Sequence, residues 1–113
     1  MKTIKKSESQ EFKNGSNCAV YEYPMGDNAI NGAVVKLSGR YPGKGSSVNS
    51  VCKMMAYIID GGGAIFVDGK ETKIEKGDLV LVEPNEKYYW QGSMELFMPC
   101  TPAWTPEQYK VID

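Results

Sequence analysis

The chain contains no histidine. That single absence removes the commonest transition-metal ligand, the commonest general base and the side chain that changes charge near neutral pH. Any chemistry must fall to Tyr, Glu, Asp, Lys, Cys or Arg. Paired cysteine motifs are missing too. Cys18, Cys52 and Cys100 cannot all pair within one chain and lack Cys-x-x-Cys spacing, which excludes a zinc ribbon or disulfide scaffold and predicts reduced, mostly buried thiols. No apolar run approaches the ~20 residues of a membrane helix. Polar Ser7-Glu8-Ser9-Gln10 stands where a signal peptide needs its apolar segment. The expectation is a cytoplasmic protein with no membrane partner. Neither sign of charge dominates, with 13 basic against 14 acidic residues, and no basic run exceeds Lys5-Lys6. Phosphate backbones require a concentrated basic face, so nucleic acid is excluded as the main partner.

Turn formers and short apolar runs are what the sequence does have. Twelve glycines and six prolines cut it into pieces too short for a sustained helical period. Strand-like runs lie at Cys18–Tyr23, Gly32–Leu37, Ser50–Ile59, Ala64–Val67, Glu71–Ile74, Leu79–Glu83, Lys87–Trp90 and Met94–Met98. Between them Asp60-Gly61-Gly62-Gly63, Asp68-Gly69, Pro84-Asn85 and Gly92-Ser93 read as turns, the second suited to a tight hairpin. Regular strands joined this way predict an all-β, antiparallel barrel or sandwich. At 113 residues there is room for one domain, 1–113, with a barrel core over about 18–100. The proline-containing tail 99–113 allows no long helix, only a turn near Pro106-Glu107-Gln108-Tyr109.

The stretches from Tyr57 to Gly69 and from Ile74 to Trp90 resemble the centre of a cupin: an apolar strand, a glycine turn, a hairpin, then a Gly-Asp strand entering a proline turn. The resemblance is to small single-domain, type-2 cupins with the RmlC-like jelly roll, and it implies a cupin-type antiparallel β-barrel. It covers residues 40 to 105. The family's second motif carries a histidine where this chain has Tyr88. Counting back from Gly61 puts Met54 at the acidic ligand of the first motif, and its paired histidines fall on Val48 and Ser50, or on Ser47 and Asn49 with the longer gap. Every implied ligand position therefore holds a poor metal donor, and the reading is no metal and no cofactor. The family also implies a homodimer paired through one sheet, which apolar residues on both faces of Met54–Ile59 support.

Residues two apart on a strand share a face, so Ser50, Cys52 and Met54, with Tyr88 and Trp90, are expected to line one barrel mouth as ligand-binding residues. Asn49, Arg40, Tyr41, Tyr57 and Glu83 are further polar groups within possible reach. The first functional reading is a metal-free module holding a small sugar-like, carboxylate or aromatic metabolite. The second is a metal-independent isomerase, epimerase or lyase with Tyr88 and Glu83 as acid and base. The third is a structural barrel with a filled core. Trp104 is expected to staple the tail across the barrel wall or mouth. Cys52 is expected to be a packed thiol, since Lys53 points to the opposite face.

Overall fold

The computed structural model describes all residues, Met1–Asp113. Nine strands form one curled antiparallel sheet: β1 (Gln10–Lys13), β2 (Cys18–Tyr23), β3 (Asn31–Tyr41), β4 (Ser46–Asn49), β5 (Lys53–Val67), β6 (Lys70–Glu75), β7 (Leu79–Val82), β8 (Tyr88–Thr101) and β9 (Tyr109–Ile112). The long strands β5 and β8 run side by side at its centre, extended by β3, β2 and β1 on one flank and by β6 and β7 on the other. β4 continues beyond β3 along β8 and carries β9 as its outer neighbour. No helix is long and apolar enough to cross a membrane.

Alternation places the core. On β5, Met54, Ala56 and Ile58 are buried while Lys53, Met55 and Tyr57 are exposed. On β8 the inward set is Tyr88, Trp90, Met94 and Leu96. Ile58 and Leu96 are essentially inaccessible, and burying such side chains stabilises by about 1.5–3 kcal/mol each. After Ile58 the pairing slips by one residue, a β-bulge, and the inward set changes from even to odd numbers. Without that slip Ile65 would turn to solvent; with it Ile65 lies opposite Trp90 in the core.

Two expected turns are not turns. Asp60–Gly63 lies inside β5, and Gly92-Ser93 lies inside β8. Gly39, Gly92 and Gly63 pair in one row across β3, β8 and β5, a line without side chains where the sheet folds over. Glycine permits both a turn and a sharp bend, and single-sequence pattern does not separate them. Asp68-Gly69 is the hairpin expected, both residues having positive φ, and Asn85 turns in the left-handed region after Pro84. Asp78 accepts the Glu75 backbone N–H at 2.8 Å, as its place after glycine suggests. The tail makes its short turn at Pro106–Gln108 and then adds β9, which the sequence did not indicate. Outside the barrel Met55, Tyr57, Leu79, Leu81 and Phe97 form an exposed apolar face over β7, β5 and β8.

Candidate functional site

The concave face of the sheet encloses a cavity of about 530 Å³. Inward residues of β2, β3 and β8 make its apolar wall, and aromatic rings crowd one part of it: Tyr41, Tyr88, Trp90, Trp104 and Tyr109. Tyr88 and Trp90 meet edge to face at 6.2 Å, and Trp104 leans on Tyr109 at 5.8 Å. An apolar, aromatic concavity with a few placed polar groups is the usual form of a small-ligand site.

Two hydrogen-bonded relays cross it. In the first, Trp104 Nε1 donates to Asn49 Oδ1 at 3.0 Å and Asn49 Nδ2 donates to the Tyr88 hydroxyl at 3.0 Å. The hydroxyl reaches on to Met54 Sδ at 4.0 Å. In the second, the Tyr109 hydroxyl lies 2.7 Å from Ser47 Oγ and 3.1 Å from the Tyr41 hydroxyl. Three hydroxyls hold three protons, and two internal bonds use two of them. Ser47 is fully buried with no second partner, so its proton belongs to Tyr109. The remaining proton sits on Tyr41 or Tyr109, both on the cavity wall, and is free for a ligand.

The sequence-expected residues divide cleanly. Met54, Tyr88 and Trp90 come together in the cavity. Ser50 does not, because β4 ends at Asn49 and the alternation breaks there: Ser50 is exposed, and its hydroxyl donates to the Gln108 carbonyl at 3.2 Å. Cys52 is buried behind the wall, its backbone N–H and that of Val51 both donating to Gln108 Oε1. Lys53 turns outward as expected. The Cys100 thiol, together with the Gln108 amide, lowers Cys52 to about 6 against the effect of burial, and Cys100, left as donor and itself buried, is pushed up. Glu83 is also outside: its exposed carboxylate faces Lys53 at 3.6 Å across the barrel's outer surface. It therefore cannot act as an acid or base with Tyr88. Arg40 stacks on Tyr89, 3.8 Å from the ring centre, and donates to the carbonyls of Pro42 and Gly45, away from the cavity. Tyr57 is on the outer face. Glu22, Asn31 and Tyr109 also line the cavity without any signal in the sequence that marks them, and Tyr41 and Asn49 face it where the sequence alone does not orient them.

Burial, joined for Tyr88 by the neighbouring Tyr109, pushes the phenols of Tyr88 and Tyr41 well above the usual tyrosine range, the Tyr109 hydrogen bond adding to it for Tyr41. Burial therefore favours the neutral hydroxyl at both positions. Because folding favours their protonated forms, the stability they contribute is intact below about pH 10 and is lost as pH climbs through and beyond that value. Urea midpoints should fall progressively between about pH 9 and pH 11, and less steeply in Tyr88→Phe. A midpoint constant over that interval contradicts the assignment.

The longer-gap positions Ser47 and Asn49 are the ones that approach Tyr88, so the places where cupins hold a metal do converge here. Their donors are an amide oxygen already taken by Trp104, a thioether, a phenol and a buried hydroxyl, which do not fit a divalent transition ion. No cluster of three His, Cys, Asp or Glu side chains occurs anywhere in the chain.

Fold and cavity together define a small cupin-type β-barrel. Compared by sequence, the chain matches no protein-family model and no curated protein. Compared by structure, it is similar to Pac13 of Streptomyces, a nucleoside dehydratase, with TM-score 0.90 and 19% identity over 99% of this chain and 91% of that one. Variants of that protein have been solved with uridine. KdgF from Halomonas sp. matches with TM-score 0.76 at 10% identity over 95% and 97% of the two chains. Salicylate 1,2-dioxygenase from Pseudoaminobacter salicylatoxidans matches with TM-score 0.68 at 22% identity over 81% of this chain and 27% of its own. At these identities the likeness is one of fold.

Proposed function

We propose that the barrel binds a small metabolite with a flat ring and several hydroxyls, a nucleoside being the class that fits best. The carrying observation is the aromatic cavity crossed by two relays, one of which leaves a single free hydroxyl proton on Tyr41 or Tyr109. Rings of Trp and Tyr offer stacking faces to a planar base, and the hydroxyl chain offers one donor and several acceptors to sugar or base oxygens. A carboxylate ligand finds no partner, since no lysine or arginine lines the cavity. The likeness to a protein solved with uridine supports the same choice. A filled structural barrel is a poor description of a 530 Å³ space.

Titration of the protein with uridine should quench or shift the fluorescence of Trp90 and Trp104 saturably, and isothermal calorimetry should return one site per chain. Ribose alone, lacking the ring, and phenylacetate, carrying the wrong charge, should bind at least ~10-fold more weakly. Failure of every common nucleoside to bind at millimolar concentration would remove this reading.

A second reading is an elimination of the kind the dehydratase's name describes. In that step the free proton of the Tyr41–Tyr109–Ser47 chain would pass to the departing hydroxyl as its C–O bond breaks, and the adjacent C–H proton would go to Glu22, the one carboxylate on the cavity wall, so that water leaves and a double bond forms. Mass spectrometry of incubated nucleosides, looking for loss of water, separates turnover from binding alone.

A further inference from the structure

The cavity contains one formally charged side chain, Glu22 on β2. Cys18, Val20 and Glu22 alternate inward along that strand, while Ala19, Tyr21 and Tyr23 take the other face. The pattern is inverted at the strand's end, with the carboxylate inside and two tyrosines outside. Tyr21 on the outer face is held by Glu11 and by the Lys36 ammonium over its ring. Glu22 by contrast forms no ion pair, the chain's one salt bridge being Lys53–Glu83. Its row runs from Gln10 on β1 through Ala33 on β3 to Met98 on β8, so no cation stands in it, its β3 side is apolar and Ala33 leaves room beside it. One rung away on the same face stands Asn31, whose Oδ1 accepts the Trp104 backbone N–H at 3.1 Å and whose amide N–H groups have no protein partner.

An unpaired carboxylate on the inward face of a strand contributes nothing to packing, and sequences break the inside-outside pattern mainly where function requires it. We infer that Glu22 sets the charge preference of the cavity: its carboxylate accepts the hydroxyl or ammonium donors of the ligand's polar end, the Asn31 amide N–H donates to a ligand oxygen beside it, and the carboxylate turns anionic ligands away. The inference rests on the nucleoside-binding reading and narrows it, selecting nucleosides and amino-substituted nucleosides over nucleotides. A carboxylate accepts up to four hydrogen bonds and suits two adjacent hydroxyls or an ammonium. A phosphate in the same apolar enclosure meets a like charge and no cation.

The test is calorimetric titration of wild type, Glu22→Gln and Glu22→Asp with uridine, uridine 5′-monophosphate and 5′-amino-5′-deoxyuridine. Wild type should bind the amine at least as tightly as uridine, and the monophosphate at least ~10-fold more weakly than uridine. Glu22→Gln should shrink both differences to within about threefold, and Glu22→Asp should retain their order. Equal binding of uridine and its monophosphate to wild type overturns the role of Glu22 and leaves the nucleoside reading standing. So does a Glu22→Gln variant with unchanged discrimination. If none of the three binds wild type, the nucleoside reading fails and the role of Glu22 with it. The Gln variant is isosteric and removes an unpaired charge, so its melting temperature should equal or exceed that of wild type, which keeps misfolding from imitating either result.

Discussion

Gly63→Ala should destabilise the protein by about 3 kcal/mol or more, enough to leave little folded material. The added methyl group would overlap the Gln91 carbonyl oxygen and stand 2.7 Å from Gly92 Cα. Both belong to the backbone of β8, which is paired on its other side with β3 through the same row, so neither strand has a direction in which to yield. Gly92→Ala should behave alike from the opposite side, meeting Gly62 O at 2.5 Å and Gly63 Cα at 2.6 Å while also occupying φ +145. Two controls separate crowding from backbone conformation. Gly69→Ala has open space but φ +85, and should cost about 1 kcal/mol. Gly43→Ala has open space and no such constraint, and should change stability by less than about 0.5 kcal/mol. Urea midpoints with an unchanged m-value give the ranking. A Gly63→Ala protein with the wild-type midpoint would mean that the glycine row is not where the barrel folds over.

That row also marks the limit of what the sequence could tell. Asp68-Gly69 was legible because positive φ at two successive residues has one common use between alternating strands. Gly61-Gly62-Gly63 and Gly92 were not, since the same freedom serves a chain reversal or the close approach of two continuing strands, and which applies depends on partners distant in sequence. An antiparallel barrel or sandwich was legible from strand spacing and turn signals, and its cupin type from the resemblance carried by the stretches Tyr57 to Gly69 and Ile74 to Trp90. Met54, Tyr88 and Trp90 face the cavity, as strand alternation implies, because each lies within a regular strand that carries the phase forward. Ser50 and Cys52 were misplaced because Gln108, a residue 56 positions beyond Cys52, captures the backbone of that segment and ends its alternation. Glu83 sits at the end of β7, where the Glu86 carboxylate accepts its backbone N–H and the turn directs its side chain to Lys53. Glu22 was hidden for a simpler reason: Cys-Ala-Val-Tyr-Glu-Tyr is apolar on both faces until its last two residues, and those two are inverted.

Asn49→Ala is expected to cost about 2–4 kcal/mol of stability and, on the proposed nucleoside-binding role, most of the uridine affinity with it. Asn49 is 3% exposed, yet its amide works at both ends, accepting from Trp104 Nε1 and donating to the Tyr88 hydroxyl. Trp104 belongs to a segment outside the sheet's pairing, anchored by its indole, by its backbone N–H on Asn31 and by the Ala103 N–H on the Asn28 carbonyl. Removing the amide strands the indole N–H over an apolar cavity, so Trp104 should swing toward solvent and carry one wall of the site with it. The loss is of a relay, and relays do not add. Tyr88→Phe alone should cost about 1 kcal/mol, because Asn49 keeps Trp104 and leaves one donor unmet. In the Asn49→Ala, Tyr88→Phe double variant the second substitution has little left to break, and the sum of the single losses should exceed the double by about 1 kcal/mol. Urea unfolding measures the stabilities, uridine titration the affinities, and the Trp emission maximum the position of Trp104. Strict additivity, or an Asn49→Ala protein that binds uridine as wild type does with its emission unmoved, would show the two hydrogen bonds to be independent and the Trp104 wall to be held by packing alone.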